Sequence, residues 1–299
     1  MQTFDPNGMN PVFMKAIEAT QKAIEARSVS MKLAMLKDVE VVMSPLTGRD
    51  DLKIKTARTS ILTFNKMINE FLYNKGTYTG IEFAGFDDFE AKLTTQDKEI
   101  LIALLLDASY SKLPKRSAYC PQCSELTEYD LVVADLFSNP ETKIPVWKYE
   151  EPVYEKVFTK SMFDGVLTVN IKAPTEAKKN RVYESMTFDT VRKNLVEKGQ
   201  LLDSTDTLLM FIDSLEVKVK DEKNKKTETY VLKDMVTEVR PYLDVAPLEI
   251  HEAINNFINE IFDEFIIEFK APVTCNHCGH NFNWTVSPEN EFFRKAFSI

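Results

Sequence analysis

Apolar residues recur at three-to-four spacing along much of the chain, and that period predicts helices. The first runs from Asn10 through Val12, Ala16, Ala19, Ala23 and Ile24. Pro11 suits its first turn, where a missing N–H costs nothing. Met31 to Met43 alternates instead and predicts extended structure, with Pro45 and Gly48 in a turn. Thr47 and Asp50 have capping-box spacing ahead of one long helix, carried by Leu52, Ile54, Ile61, Leu62, Phe64, Ile68, Phe71 and Leu72 and stopped by Gly76. A small acidic helix around Asp87 to Leu93 follows; its adjacent carboxylates read as a solvated face. Thr94 and Asp97 repeat the cap spacing before Ile100–Ser111, which is apolar on several faces and therefore reads as a buried central helix.

Beyond residue 118 the pattern shortens. Tyr129, Leu131 and Val133 alternate like a strand, and the proline-rich 138–152 reads as a linker. VYEKVF and VLTVNIKAP flank Asp164-Gly165 and predict a hairpin. A long helix is expected from Thr175 to Gly199 and a short one over Asp206–Leu215. EVKVKDEKNKKTETYVL reads as a second hairpin, and Asp234–Tyr242 as a brief helix. The widest apolar helical face belongs to Leu248 through Ile266. FKAPVTCNHCGHNFNWTV then reads as strand, knuckle, strand, ahead of a terminal helix in PENEFFRKAF. The fold class implied is α+β, mainly helical with short β-hairpins. Three regions are expected: an N-terminal helical part over 1–118, a discontinuous zinc ribbon from 119–137 and 267–299, and an inserted α+β part over 138–266.

Chemistry enters through cysteine. All four cysteines lie in two Cys-x-x-Cys pairs, Cys120 with Cys123 and Cys275 with Cys278. Such a turn aims two thiolates at one ion, and two turns together supply the tetrahedral sulfur set that zinc prefers. Gly279 stands where a knuckle needs a positive φ, and Pro121 stiffens the other turn. About 150 residues separate the pairs, against the roughly ten to twenty of a common ribbon. One ribbon interrupted by a large insertion is the favoured reading. Two half-sites completed by other ligands, a redox pair, or no metal remain as alternatives, and His277 or His280 could replace a sulfur. Four thiolates leave no position for water or substrate, so the site reads as structural.

Composition narrows the function. The net charge is −9 and only eight residues are glycine, which disfavours nucleic acid as a main partner and glycine-dependent phosphate loops. No apolar run approaches the roughly 20 residues of a membrane span, and the first residues lack a signal-peptide layout; cytosolic residence is expected. There is no Walker loop, nucleophile elbow or His-Glu-x-x-His, and His251 reads as a packing or hydrogen-bonding residue. Lys223, Lys225 and Lys226 read as a solvated hairpin tip. Lys112, Lys115 and Arg116, with Tyr110, Tyr119 and Trp284, are the better nucleic-acid candidates. Phe292, Phe293 and Phe297 either cover the ribbon or dock into another subunit.

Two stretches carry a resemblance. VEVVMSPLTGRDDLKIKTAR with LTTQDKEILIALLLDASY, and then DEFIIEFKAPVTCNHCGHNFNWTV before a Phe-rich end, together resemble the baseplate hub assembly proteins of T-even-type contractile-tailed phages, over roughly 39–125 and 248–293. The resemblance implies a non-enzymatic structural or chaperone-like role in building the tail baseplate. It implies one structural zinc on Cys120, Cys123, Cys275 and Cys278. It also implies other tail or baseplate proteins as partners, with self-association, and residence in the host cytoplasm during assembly or in the virion. The competing reading is a zinc-ribbon nucleic-acid-binding or transcription-associated factor.

Overall fold

The computed structural model describes residues 11–25, 30–56, 61–110, 112–147, 153–159, 165–186, 204–220 and 227–297. The fold is α+β, as the periodicities imply. Helix α1 (Pro11–Glu25) precedes a three-stranded antiparallel sheet, β1 (Ser30–Lys32), β2 (Glu40–Met43) and β3 (Gly76–Thr79). Between β2 and β3 the expected single helix is two, α2 (Gly48–Thr56) and α3 (Ile61–Lys75). Gly48 opens α2 rather than sitting in a turn before it, and Asp50 accepts from the Thr47 N–H at 2.8 Å. Helix α3 stops at Gly76 as expected.

Helix α4 (Phe86–Lys92) leads to α5 (Thr95–Ser109), whose residues Ile100 to Leu106 are all buried. A helix apolar on every side belongs in the middle of a core, and α5 is there. Its cap differs from the reciprocal box. Thr94 Oγ1 accepts from the Asp97 N–H at 3.1 Å, but the Asp97 carboxylate turns away. It accepts instead from the backbone N–H groups of Ala34, Met35 and Leu36 at 2.7, 2.9 and 3.1 Å. One buried carboxylate thereby satisfies the tight turn between β1 and β2.

Strands β4 (Leu113–Tyr119) and β5 (Leu126–Leu131) form one hairpin, and β10 (Phe269–Thr274) with β11 (Asn281–Val286) another. Val133 lies in a short helix α6 (Val133–Ser138), not in the strand; Val133 and Leu136 are both buried at helical spacing. The middle holds a four-stranded antiparallel sheet in the order β6 (Val153–Thr159), β7 (Gly165–Lys172), β8 (Ile212–Lys220) and β9 (Thr227–Leu232). Helix α7 (Glu176–Met186) follows β7; the rest of the long helix expected there, and the lysine-rich hairpin tip, lie outside the described residues. Helix α8 (Ser204–Phe211) gives way at Ile212 to β8, because Leu215 and Val217 pair across to Val169 and Leu167. A π-helical turn over Met235–Val239, α9 (Arg240–Val245), α10 (Leu248–Phe262), a 3-10 turn over Asp263–Phe265 and α11 (Pro288–Phe297) are the remaining elements among the described residues.

The buried apolar residues form two clusters. One joins Leu33 through Leu136 to Phe269, Ala271, Val273, Val286 and Phe292; the other runs from Trp147 to Phe265. Among the described residues, the buried members of the first cluster come from the two flanks of the chain and those of the second from its middle. Phe293 stacks on Phe64 of α3 at 4.3 Å between centroids, and Phe292 is buried beside it. These two rings pack within the chain, against the helical layer rather than over the knuckles.

Candidate metal centre

Each knuckle caps a hairpin, and the two are built alike. In the first, Cys120 donates its N–H to Glu125 O at 2.9 Å and Ser124 donates to Cys120 O at 2.8 Å. In the second, Cys275 donates to His280 O at 2.8 Å and Gly279 donates to Cys275 O at 3.0 Å. Both turns need a left-handed residue after the second cysteine. Gly279 takes it at φ 72°, as the sequence implied, and Ser124 takes the matching place at φ 60°. A positive φ on serine is costly, so the first turn is held by its surroundings rather than by its own preference.

The hairpins meet at their tips. Sγ of Cys120 lies 3.7 Å from Sγ of Cys278, Sγ of Cys123 lies 3.6 Å from Sγ of Cys275, and all four atoms fall within 4.8 Å of one another. A tetrahedral ion with metal–sulfur bonds of about 2.3 Å places its sulfurs about 3.8 Å apart. These two separations across the hairpins match that spacing, and the early and late pairs lie together as one possible metal site. Cross-links between hairpins hold the geometry. Thr127 Oγ1 accepts from the Asn276 N–H at 2.9 Å, and Asn276 Nδ2 donates to Glu128 O at 3.3 Å.

Cys120 and Cys275 are buried, Cys123 is half-buried and Cys278 is exposed. In the free thiols the backbone N–H of Cys278, with that of His277 at 3.4 Å, holds Cys275 down to about 6 against the opposing effect of burial. Cys123 moves the other way. The Glu125 N–H favours its thiolate, but burial and the three neighbouring thiols outweigh it and push the group up to about 12. Four thiols this close cannot all ionise without a cation between them, so metal binding and proton release are one event. Neither histidine joins the set: His280 stacks beside Phe282, and His277 contributes its backbone N–H.

The remaining candidates lie elsewhere. His251 is buried on α10 with Nε2 2.8 Å from Leu243 O, a packing role. Lys112 pairs with Asp130 at 2.7 Å, Lys115 with Glu128 at 3.9 Å, and Arg116 Nε donates to Glu291 at 2.6 Å. Tyr119 and Trp284 are exposed on β4 and β11. A polar cluster that sequence reasoning missed joins the helical layer to α7. Lys98 pairs with Glu176 at 2.8 Å and also reaches Asn65, while Asn69 and Asn180 donate to Glu90 at 2.7 and 2.9 Å. Its one legible signal was Asn65 and Asn69, two amides on the apolar face of α3. Among the described residues no helix is long and apolar enough to cross a membrane. Comparison of the chain with family models, curated proteins and solved structures finds no match.

Proposed function

We propose that the chain is a non-enzymatic structural or assembly protein. A zinc ion on Cys120, Cys123, Cys275 and Cys278 would serve as its internal clamp, and its partners would be tail and baseplate proteins of a contractile-tailed phage. The observation that carries the structural half is the sulfur cluster. Four thiols within 4.8 Å of one another would fill a tetrahedral coordination sphere, so an ion there would have no position for substrate and would serve architecture. Zinc is the ion that an all-thiolate tetrahedral set selects among the common redox-inert cations. The baseplate assignment rests on the sequence resemblance over the two flanks, which are also the parts that build the shared core and the ribbon.

A nucleic-acid role draws on Tyr119 and Trp284, but the basic residues beside them direct their charge to Asp130, Glu128 and Glu291. The two readings separate in one experiment. The purified, zinc-loaded chain is mixed with baseplate hub subunits and, in parallel, with single-stranded DNA over a salt series. A stable complex with the hub subunits by size-exclusion chromatography is expected. Binding to DNA that weakens steeply with salt, with no hub complex, would replace this proposal by the alternative.

A further inference from the structure

A cavity of about 350 Å³ opens where three parts of the chain meet: the first turns of α5, the face of α7, and the junction of β11 with α11. One wall is apolar, from Phe269, Ile267, Val286 and Pro288. The rest of the lining includes charged groups. Lys98, Glu99, Lys179 and Glu289 supply them, and Glu176 lies directly behind.

The charges do not balance. Lys98 is committed to Glu176 at 2.8 Å and to Asn65. Lys179 stands 3.7 Å from Glu176 and 4.0 Å from Glu289, and Glu289 is 3.7 Å from Lys98. Two lysines therefore serve Glu176 and Glu289, and Glu99 is left over. Among the described residues its carboxylate accepts one long hydrogen bond, 3.4 Å from the Glu289 N–H. Three carboxylates meet two ammonium groups around a space large enough for a small molecule with an apolar side.

We infer that this cavity binds a small organic ammonium, a primary amine whose charged head pairs with Glu99 and Glu289 and whose short aliphatic body lies on Phe269, Ile267 and Pro288. An anion would meet the surplus carboxylate. A bare divalent cation would find no third ligand, since the only described cluster of three or more metal-ligating groups is the cysteine set. The state of Glu99 agrees. Burial, then the facing Glu289, push it up to about 7, while Lys179 and Lys98 oppose the rise. The amine therefore competes with a proton for Glu99, and its affinity increases as pH rises through neutrality.

The test is calorimetric titration of the full chain with n-butylamine, with butanoate as the opposite-charge control, at about pH 6 and about pH 8. Glu99 ionises across this interval, so butylamine binding is expected to tighten about tenfold. Glu99→Gln keeps an acceptor for the Glu289 N–H and removes the charge. It is expected to fold with an unchanged melting profile at about pH 6, and to lose both the tighter binding and its pH dependence. Amide NMR shifts caused by butylamine should centre on Thr285–Glu289 and Phe269. Failure of butylamine to saturate at about pH 8, equal binding by Glu99→Gln, tighter binding of butanoate, or shifts confined to other regions would each overturn the proposal.

Discussion

If an ion binds the four thiols as proposed, removing it should loosen the chain by an amount that the topology sets. The Cys123–Cys275 link spans 152 residues. Cross-linking a loop of this length removes roughly 5 kcal/mol of chain entropy from the unfolded state. For 299 residues, at about 2.1 cal/mol/K per residue, unfolding carries about 0.6 kcal/mol/K of entropy. Loss of the clamp therefore corresponds to a fall in Tm of about 8 °C. The assay compares zinc-loaded and chelated protein by calorimetry, with metal content measured by mass spectrometry. One zinc per chain is expected, with Cys120→Ser and Cys275→Ser losing metal and Tm together while His277→Ala and His280→Ala keep both. A chelated chain that melts within about 2 °C of the loaded one would refute the loop-closure argument. A Cys275→Ser chain with full metal would refute the shared four-sulfur site.

Four further outcomes follow from other residues. Lys98→Met strands the Glu176 carboxylate, which is fully buried, and should cost about 3–5 kcal/mol in urea unfolding; Lys98→Met with Glu176→Leu should recover much of that. Burial opposes ionisation of Glu176, yet Lys98 and Lys179 hold it at about 2. Its folded value thus lies below its unfolded one, so its stabilisation is full above about pH 4.5 and is lost as pH falls toward 2, and Glu176→Gln should flatten that acid limb of a stability–pH curve. Asp97→Ala leaves the N–H groups of Ala34, Met35 and Leu36 without their acceptor and should cost about 3 kcal/mol in the same unfolding assay. Gly279→Ala meets no atom within 4 Å and should cost only the left-handed penalty of about 1 kcal/mol, whereas Gly80→Ala drives a Cβ into the Asp38 carbonyl and should cost clearly more by thermal melting.

Periodicity located the elements whose packing is local. Helix α5 was legible because its run from Ile100 to Leu106 is apolar without a break, and β10, β11 and the knuckle between them because turn chemistry and alternation coincide. The sulfur cluster was legible because Cys-x-x-Cys fixes the geometry of half a site within four residues. What pattern could not reveal depends on distant partners. Asp97 obeyed the cap spacing, yet its carboxylate serves a turn some 60 residues earlier in the chain. Lys98 carries no mark of burial in the sequence, yet it lies buried and paired with Glu176, 78 residues further along. Ile212 sat in a run that suits either a helix or a strand, and pairing with β7 decided it. Residues that pair across long sequence distances leave no short-range mark.

The shared core has a consequence for synthesis. The second cluster has all its members once Phe265 has left the ribosome, but the first waits for Phe269, Val273, Val286 and Phe292. The stretch translated in the middle can consolidate while the earlier-made amino-terminal helices still lack their carboxy-terminal complement. The amino-terminal layer therefore keeps part of its apolar surface uncovered until the segment from Phe269 to Phe292 has been made.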